Sequence, residues 1–245
     1  MIHSMALELE GVTKTYKNGR GVRDISFALA PGEVLGLLGP NGSGKTTIMK
    51  AVVGIVFSDC GDIRVCGIDA IAHHEDAMRH ASCLIESPAL HEYLTPLQNL
   101  ELAAKFYKDI DKARIDEVLH MVSMYEYRKD KVSSLSLGMR QRIGLALAFI
   151  SRPRLLILDE PANGLDIEGM LYVREVVKAV AANGSAVLMS SHLASEIQHC
   201  ATKAAVIHSG KLLDLKSMDE ILLKHNDLEE FFLAQVEKTR RDVAV

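Results

Sequence analysis

The sequence contains one glycine-rich run with the spacing GxxxxGK followed by threonine. Its members, with the threonine after them, are Gly39, Pro40, Asn41, Gly42, Ser43, Gly44, Lys45, Thr46 and Thr47. Glycines allow backbone N–H groups to converge on phosphate oxygens because no Cβ stands in the way. A helix that starts there adds its unpaired N–H groups and the positive end of its dipole. The run therefore predicts a triphosphate cradle in which Lys45 reaches the β- and γ-phosphates and the Thr46 hydroxyl ligates Mg²⁺.

Two adjacent carboxylates, Asp159 and Glu160, follow the apolar run 155–158. Such a run is typical of a buried strand, and ligands of open α/β sheets bind beyond the carboxyl ends of the strands. Asp159 is therefore expected to hold Mg²⁺, directly or through water. Glu160 is expected to accept a proton from the attacking water or to orient it. The pair is weak evidence alone, but together with the glycine-rich run it predicts nucleotide hydrolysis.

Strand-like apolar runs alternate with helical patterns in most of the chain. Runs at 34–38, 155–158, 186–189 and 205–207 contain hardly a polar residue. That pattern is typical of parallel strands covered on both faces. The predicted fold class is α/β, with a mostly parallel sheet.

The strand signals disappear between about residues 88 and 152, where the pattern becomes helical. Thr95 predicts a helix start because it can cap the helix, Pro96 fits the first turn and Gln98 completes a capping box. Two more helices are predicted further on, and the second ends before Pro153.

These patterns divide the chain into three predicted parts. Residues 5–87 and 154–215 form an α/β core, and residues 88–153 form the helical lobe. Residues 216–245 form a C-terminal segment, in which the run 228–233 predicts a short amphipathic helix followed by a polar tail.

Composition excludes several classes of protein. The chain has 245 residues, of which 48% are hydrophobic and 24% charged, and its net charge is -4. The negative charge argues against a nucleic-acid binder, which usually presents a basic face. No apolar run approaches the ~20 residues that cross a bilayer, and the N-terminus lacks the pattern of a signal peptide. The chain is therefore expected in the cytoplasm, with any membrane-spanning part on another chain.

Five further segments, in this order along the chain, resemble the motifs of ATP-binding-cassette (ABC) proteins. Tyr16 matches the aromatic residue that stacks on adenine, and Val22 matches its apolar neighbour. The run Leu135-Ser136-Leu137-Gly138-Met139 resembles the signature usually written LSGGQ, the run Asn163-Gly164-Leu165-Asp166 resembles the D-loop, and Ser191-His192 resembles the switch histidine. The resemblance covers about residues 6–215.

The resemblance implies a P-loop NTPase core of the RecA-like kind, with an N-terminal antiparallel β subdomain and an inserted α-helical lobe. It also implies an ATP-hydrolysing subunit of a membrane transporter, with ATP and Mg²⁺ as cofactors and with Glu160 and His192 as catalytic residues. Two subunits are implied, head to tail, either identical or closely related. The P-loop of one faces the Ser136 hydroxyl, the amides near residues 137–139 and Asp166 of the other. A separate permease would dock near residues 85–94 and hold the subunit at the inner face of the cell membrane.

Three positions depart from the family pattern. Leu137 replaces a signature glycine and Met139 replaces its glutamine. Glu86 stands where most members have a glutamine that touches Mg²⁺ and the lytic water. A carboxylate can still ligate Mg²⁺, but when ionised it cannot donate a hydrogen bond. We expect Glu86 to keep the metal, catalytic and coupling role.

The run Leu84-Ile85-Glu86-Ser87-Pro88, taken with the other motifs, is most similar to exporters of the bacitracin and lantibiotic self-protection group. This likeness implies a peptide antibiotic or another amphiphile as cargo. Two other classes stay open: a soluble ABC switch without a membrane partner, as in iron–sulfur cluster assembly scaffolds, and a nucleotide sensor without hydrolysis. The presence of both Glu160 and His192 argues against the sensor.

Overall fold

The computed structural model describes residues 5–243, which form two β-sheets and nine α-helices within that range. The strands are β1 (Leu7–Thr15), β2 (Gly21–Leu29), β3 (Val34–Leu38), β4 (Cys60–Val65), β5 (Ile68–Asp69), β6 (Ala81–Leu84), β7 (Leu155–Leu158), β8 (Ala186–Ser191), β9 (Lys203–His208) and β10 (Lys211–Ser217). The helices are α1 (Lys45–Val52), α2 (His74–Met78), α3 (Pro96–Ala104), α4 (Lys112–Met121), α5 (Leu137–Phe149), α6 (Ile167–Ala182), α7 (Ala194–Cys200), α8 (Met218–Leu222) and α9 (Leu228–Val243).

The larger sheet has six strands in the order β10-β9-β3-β8-β7-β6. Its neighbours are parallel except at β9 and β10, which pair antiparallel. Every residue of β3, β7 and β8 is buried, as expected for parallel strands covered by helices on both faces. The prediction of a mostly parallel α/β sheet is confirmed. Because β3 and β7 run in the same direction, the residues that follow them meet at one edge of the sheet.

The smaller sheet is antiparallel, with the strand order β2-β1-β4-β5. Leu7 on its central strand pairs with Leu29 on one side and Val65 on the other, and all three are buried. This sheet and one face of the larger sheet enclose a common apolar core. The predicted N-terminal antiparallel β subdomain is confirmed.

Helices α3, α4 and α5 are inserted between β6 and β7, as predicted. The capping box at the start of α3 is confirmed: Thr95 accepts a hydrogen bond from the backbone of Gln98, and the Gln98 side chain accepts one from the backbone of Thr95. The buried residues of these helices belong to the same apolar cluster as the second face of the larger sheet. This shared core holds the inserted helices firmly against the sheet.

The predicted polar tail after residue 233 is wrong. Helix α9 continues to Val243, and residues 244–245 of the predicted C-terminal segment lie outside the described residues. Leu228, Phe231 and Val236 are buried on one side of this helix. The apolar positions are so widely spaced that the sequence after residue 233 looks polar, although the helix keeps one packed face.

Within residues 5–243, no helix combines the length and the apolar content needed to cross a bilayer.

Candidate nucleotide-binding site

The glycine-rich loop connects β3 to α1 at the carboxyl edge of the larger sheet. Gly44 caps α1 with φ 115, a backbone conformation that residues with a Cβ rarely adopt. A Cβ at Gly39 would overlap the carbonyl oxygen of Ile207 on β9. The loop can therefore keep its tight path only with glycine at these two positions.

Lys45 lies almost completely buried in the loop, with 5% of its surface exposed. Its ammonium donates hydrogen bonds to the carbonyl oxygens of Gly39, at 2.7 Å, and Pro40, at 3.4 Å. The same Nζ atom lies 3.3 Å from Oε1 of Glu160, although the angle there does not make a hydrogen bond. A buried cation needs such compensation, so the lysine is held beside the acidic end of β7.

Asp159 is also buried, and hydroxyl groups hold both oxygens of its carboxylate. Thr46 Oγ1 donates to Oδ2 at 2.8 Å, and Ser190 Oγ donates to Oδ1 at 2.6 Å. A carboxylate and a hydroxyl are hard oxygen ligands of the kind that Mg²⁺ takes alongside nucleotide phosphates. The two predicted metal residues Thr46 and Asp159 are thus brought together across 113 positions of sequence.

Glu160 is held from three sides. Its backbone N–H donates to Ser190 Oγ at 2.9 Å, and its φ of 47 is left-handed, which is uncommon for a residue with a side chain. His192 Nδ1 lies 2.8 Å from Oε2 of its carboxylate, and the backbone N–H of His192 donates to the same oxygen at 3.3 Å. His192 therefore lies on one oxygen of the Glu160 carboxylate, with Lys45 on the other.

A pocket of about 260 Å³ lies in front of this loop. Tyr16, at the turn between β1 and β2, stands at its wall, as predicted for an adenine-stacking residue. The residues around the pocket are Tyr16, Asn18, Arg20, Gly21, Asn41, Gly42, Ser43, Gly44, Lys45, Thr46, Thr47 and Glu160. A larger cavity of about 600 Å³ opens at the opposite edge of the sheet, near Arg114 and Ser185, and contains no residue of the loop.

Val22 does not line this pocket, contrary to the prediction. Its side chain is 0% exposed and packs behind the loop, where a Cβ at Gly44 would collide with it. Val22 therefore supports the glycine-rich loop from inside the core, because it points to the buried face of β2 and not toward solvent.

The signature-like residues lie at the start of α5, away from this pocket. Ser136 caps the helix, since its Oγ accepts a hydrogen bond from the backbone N–H of Met139 at 3.3 Å. Met139 packs against the core of the helical segment, whereas Leu137 is 64% exposed. The side chain of Met139 is therefore partly enclosed by that core, whereas the side chain of Leu137 lies at the surface.

The D-loop-like residues lie beside the signature-like turn. Asp166 caps α6 by accepting a hydrogen bond from the backbone of Gly169 at 2.8 Å. A Cβ at Gly138 would contact the Leu165 side chain, and one at Gly164 would contact that of Leu137. The two motifs thus form one exposed surface on the same chain, and neither lines the P-loop pocket.

Comparison with known proteins decides between the many families that share a P-loop. The sequence model of one family, described as "ABC transporter", matches residues 22–163 of this chain. These residues contain the P-loop, the signature-like run and the acidic pair. This chain belongs to the ABC transporter family. It is an ATP-binding subunit with the ATPase domain of that family.

Relatives of this ABC subunit include bacterial transport proteins. The ATP-binding protein YhcH of Bacillus subtilis is 39% identical over 94% of this chain and 75% of its own length. The bacitracin transport ATP-binding protein BcrA of Enterococcus faecalis is 34% identical over 94% of this chain and 75% of its own length. The lantibiotic transport ATP-binding protein SrtF of Streptococcus pyogenes is 33% identical over 94% of this chain and 97% of its own length. The predicted likeness to the bacitracin and lantibiotic group is confirmed.

A solved structure of an ATP-binding subunit of an ABC transporter superposes on this chain with a TM-score of 0.85 at 26% identity. The match covers 94% of this chain and 99% of that one. The fold predicted from the sequence is therefore that of an ABC ATPase.

Glu86, which the sequence predicts to stand in place of the family's glutamine, lies two residues after the end of β6. Its backbone is left-handed, with φ 64, and its carboxylate accepts a hydrogen bond from Lys50 Nζ at 2.6 Å. That bond raises the pKa of the Lys50 ammonium above its ordinary value. Within the described residues, no three His, Cys, Asp or Glu side chains are grouped as metal ligands would be. In this arrangement, then, the Glu86 carboxylate is bound to Lys50 on α1.

Sequence reasoning missed Ser190, which binds both Asp159 and the backbone of Glu160. It is completely buried at the carboxyl end of β8, and a serine pair before His192 is the signal that marks it. It also missed Asn18 and Arg20, which lie in the turn after Tyr16 and border the pocket. The short polar run 17–20 between two strand patterns is their only signal.

Proposed function

We propose that this chain binds Mg²⁺-ATP in the P-loop pocket and uses its hydrolysis to drive a separate membrane permease. The proposed cargo is a peptide antibiotic or another amphiphile, exported from the cell. One observation carries the catalytic part: Glu160 stands between Lys45 and His192 at the mouth of the P-loop, where the γ-phosphate of a bound nucleotide would lie.

The roles proposed for the site residues follow from their positions. Thr46 and Asp159 would hold Mg²⁺, which supplies positive charge to the phosphates when bound. Lys45 would turn from the Gly39 carbonyl to the phosphate oxygens. Glu160 would accept the proton of the attacking water, and His192 keeps its carboxylate oriented. Tyr16 would stack on adenine.

Two copies of the chain, or one copy and a close relative, are proposed to close around two ATP molecules. The surface formed by Ser136, Leu137, Gly138 and Asp166 lies away from the pocket of its own chain, so only a second subunit can bring such a surface to the phosphates. Leu137 within this surface and Ile167 beside it are both well exposed. Apolar side chains at a polar surface of this kind suit a protein–protein contact.

The permease is proposed to dock on residues 85–94. Tyr93 is 71% exposed there, whereas Pro88 and Leu90 are half-buried and pack against the core. Asn99 is buried and binds both backbone groups of His91, which keeps the segment in one shape.

The same segment is joined to the signature helix. Arg140 donates to Glu92 at 2.9 Å and also to the carbonyl oxygens of Leu135 and Ser133. The backbone N–H of Ser133 donates to the carbonyl of Glu92. A permease that moves this segment would therefore move the start of α5 and, with it, Ser136.

We also propose that the chain has three parts: a core (5–87 and 154–215), a helical lobe (88–153) and a C-terminal segment (216–245). The P-loop belongs to the first part and the signature-like residues to the second.

The cytoplasmic face of the membrane is the proposed location. The cargo rests on the names of BcrA and SrtF, which transport bacitracin and a lantibiotic.

Affinity purification of the tagged chain from membranes of its own host tests the coupling. We expect a permease to copurify, and we expect Tyr93→Ala to release it while Tyr107→Ala, on an exposed face of the helical segment, does not. Recovery of the chain only from the soluble fraction would instead favour the soluble switch.

A second experiment tests the cargo. Loss of the gene should raise sensitivity to bacitracin or a lantibiotic; unchanged sensitivity to both would contradict the proposed cargo.

A further inference from the structure

The ion pair between Lys50 and Glu86 joins the P-loop helix to the segment after β6. Lys50 lies one helical turn after Thr46 on α1, so the two side chains share a face of the helix. Lys50 Nζ and Glu86 Oε1 are 2.6 Å apart, and the side chains are 25% and 67% exposed. The pair therefore stands at the solvent side of the predicted magnesium residues.

The carboxylates at this edge of the sheet differ in how their charge is balanced. β6 and β7 are parallel and their register ends with Leu84 beside Leu158, so Glu86 and Glu160 each follow their strand by two residues at the same edge of the sheet. Glu160 faces Lys45 and His192. Asp159 is held by two hydroxyl groups, as described above. Lys50 is the ammonium that faces the third carboxylate, that of Glu86.

A carboxylate at position 86 puts one more negative charge beside a triphosphate than the family's glutamine would. Like charges repel over several ångströms at a protein surface, so an unbalanced Glu86 would oppose nucleotide binding. We infer that Lys50 is the positioning residue for Glu86: it neutralises this carboxylate and ties it to the P-loop helix, so that ATP can bind. The inference rests on the proposed ATP site.

Loss of the Lys50 charge has opposite effects on the nucleotide and on the metal. A freed Glu86 carboxylate repels the phosphates of metal-free ATP. The same carboxylate attracts a divalent cation at that edge of the sheet. In a variant without the ammonium, metal-free ATP should bind more weakly, whereas Mg²⁺ should tighten ATP binding by a larger factor than in the wild-type chain.

The test is an equilibrium titration of a fluorescent ATP analogue, with EDTA and again with saturating Mg²⁺, on the full chain. For Lys50→Met we expect metal-free affinity to fall about fivefold and the tightening by Mg²⁺ to grow about threefold. The double variant Lys50→Met/Glu86→Gln should return both values to within about twofold of the wild type, because the pair is again neutral. Lys50→Arg, which keeps the charge, should behave as the wild type.

A matched control is Lys203→Met, because Lys203 forms a surface pair with Glu33 at 2.7 Å at the opposite edge of the sheet. We expect no change in either titration for this control. Circular dichroism checks folding, and Lys50→Gln replaces the methionine variant if that one does not fold. The inference is overturned if Lys50→Met binds ATP as the control does in both titrations. It is also overturned if adding Glu86→Gln to Lys50→Met fails to restore the two wild-type values. A wild-type chain that binds no ATP would overturn the proposed function as well.

Discussion

His192 Nδ1 lies 2.8 Å from Oε2 of Glu160, and the backbone N–H of His192 points to the same oxygen. One oxygen of the carboxylate is thereby fixed to the end of β8. The other, Oε1, makes no hydrogen bond and faces Lys45 at 3.3 Å. In the proposed mechanism, Oε1 is the oxygen that would take the proton once Lys45 turns to the phosphates, and His192 would set the direction of the carboxylate.

His192→Ala should lower kcat for ATP about 100-fold, because positioned proton transfer contributes that order of rate. The affinity for ATP should change by less than about threefold, since His192 does not line the pocket. Steady-state phosphate release and nucleotide titration measure the two quantities. The control is His199→Ala, because His199 is an exposed histidine on α7. An unchanged kcat in His192→Ala would refute the role proposed for His192.

Ser190→Ala removes the hydroxyl that binds both Asp159 and the backbone of Glu160. The buried Oδ1 of Asp159 loses its partner, so we expect about 1–3 kcal/mol less stability and a kcat about tenfold lower. Urea unfolding and phosphate release measure these effects. Ser185→Ala removes a serine bond to the Pro153 carbonyl at the opposite edge of the sheet and should leave kcat unchanged. Equal kcat losses in the two variants would show that the effect is not local.

Glu117→Gln tests an ion pair at the end of the inserted helices. Arg114 is buried, donates to the carbonyl oxygens of Phe149 and Ile150, and lies 2.9 Å from Glu117. The hydrogen bond from Arg114 lowers the pKa of Glu117 below its ordinary value of 4.5. A lowered folded-state pKa contributes stability above the unfolded pKa, and this contribution is lost as the pH falls through the folded pKa.

We therefore expect Glu117→Gln to be about 1 kcal/mol less stable than the wild type at neutral pH, a modest value because Glu117 is half exposed. The difference should shrink as the pH falls below about 4. Urea unfolding at several pH values measures it, with the exposed Glu126→Gln as control. A difference that is the same at every pH would contradict the ion-pair explanation.

Tyr172→Phe tests the contact between α6 and the inserted helices. The Tyr172 hydroxyl donates to the carbonyl of Met121, and the guanidinium of Arg142 lies 4.4 Å from the centre of its ring. The variant keeps the ring contact and loses the hydrogen bond, so we expect about 1 kcal/mol less stability. Faster amide exchange near residues 121–124 should accompany the loss. Exposed Tyr107→Phe is the control; unchanged exchange in Tyr172→Phe would show that the bond does not hold the two parts together.

The parts predicted well from the sequence are those that local rules determine. A P-loop requires glycines at fixed spacing between a strand and a helix, and buried strands require unbroken apolar runs. Thr95 and Gln98 cap a helix through neighbours three positions apart. In each case the residues that decide the structure are close in sequence, so their pattern is visible without the fold.

The parts that were missed depend on distant partners. The sequence predicts Val22 as a pocket residue because nothing in its neighbourhood along the chain shows that it packs behind Gly44. The partner of Glu86 is Lys50, 36 positions away, and the partner of Ser190 is Asp159, 31 positions away. Such pairs follow from strand order and helix placement, which a single sequence does not determine.

The most direct test of the central claim is ATP turnover by the wild-type chain and by Glu160→Gln in the presence of Mg²⁺. The account predicts that both bind ATP with similar affinity and that the variant releases phosphate at least about 100-fold more slowly. ATP should also hold the variant as a species of twice the mass of one chain, measured by light scattering. A wild-type chain without affinity for ATP, or a Glu160→Gln variant with wild-type turnover, would contradict the account.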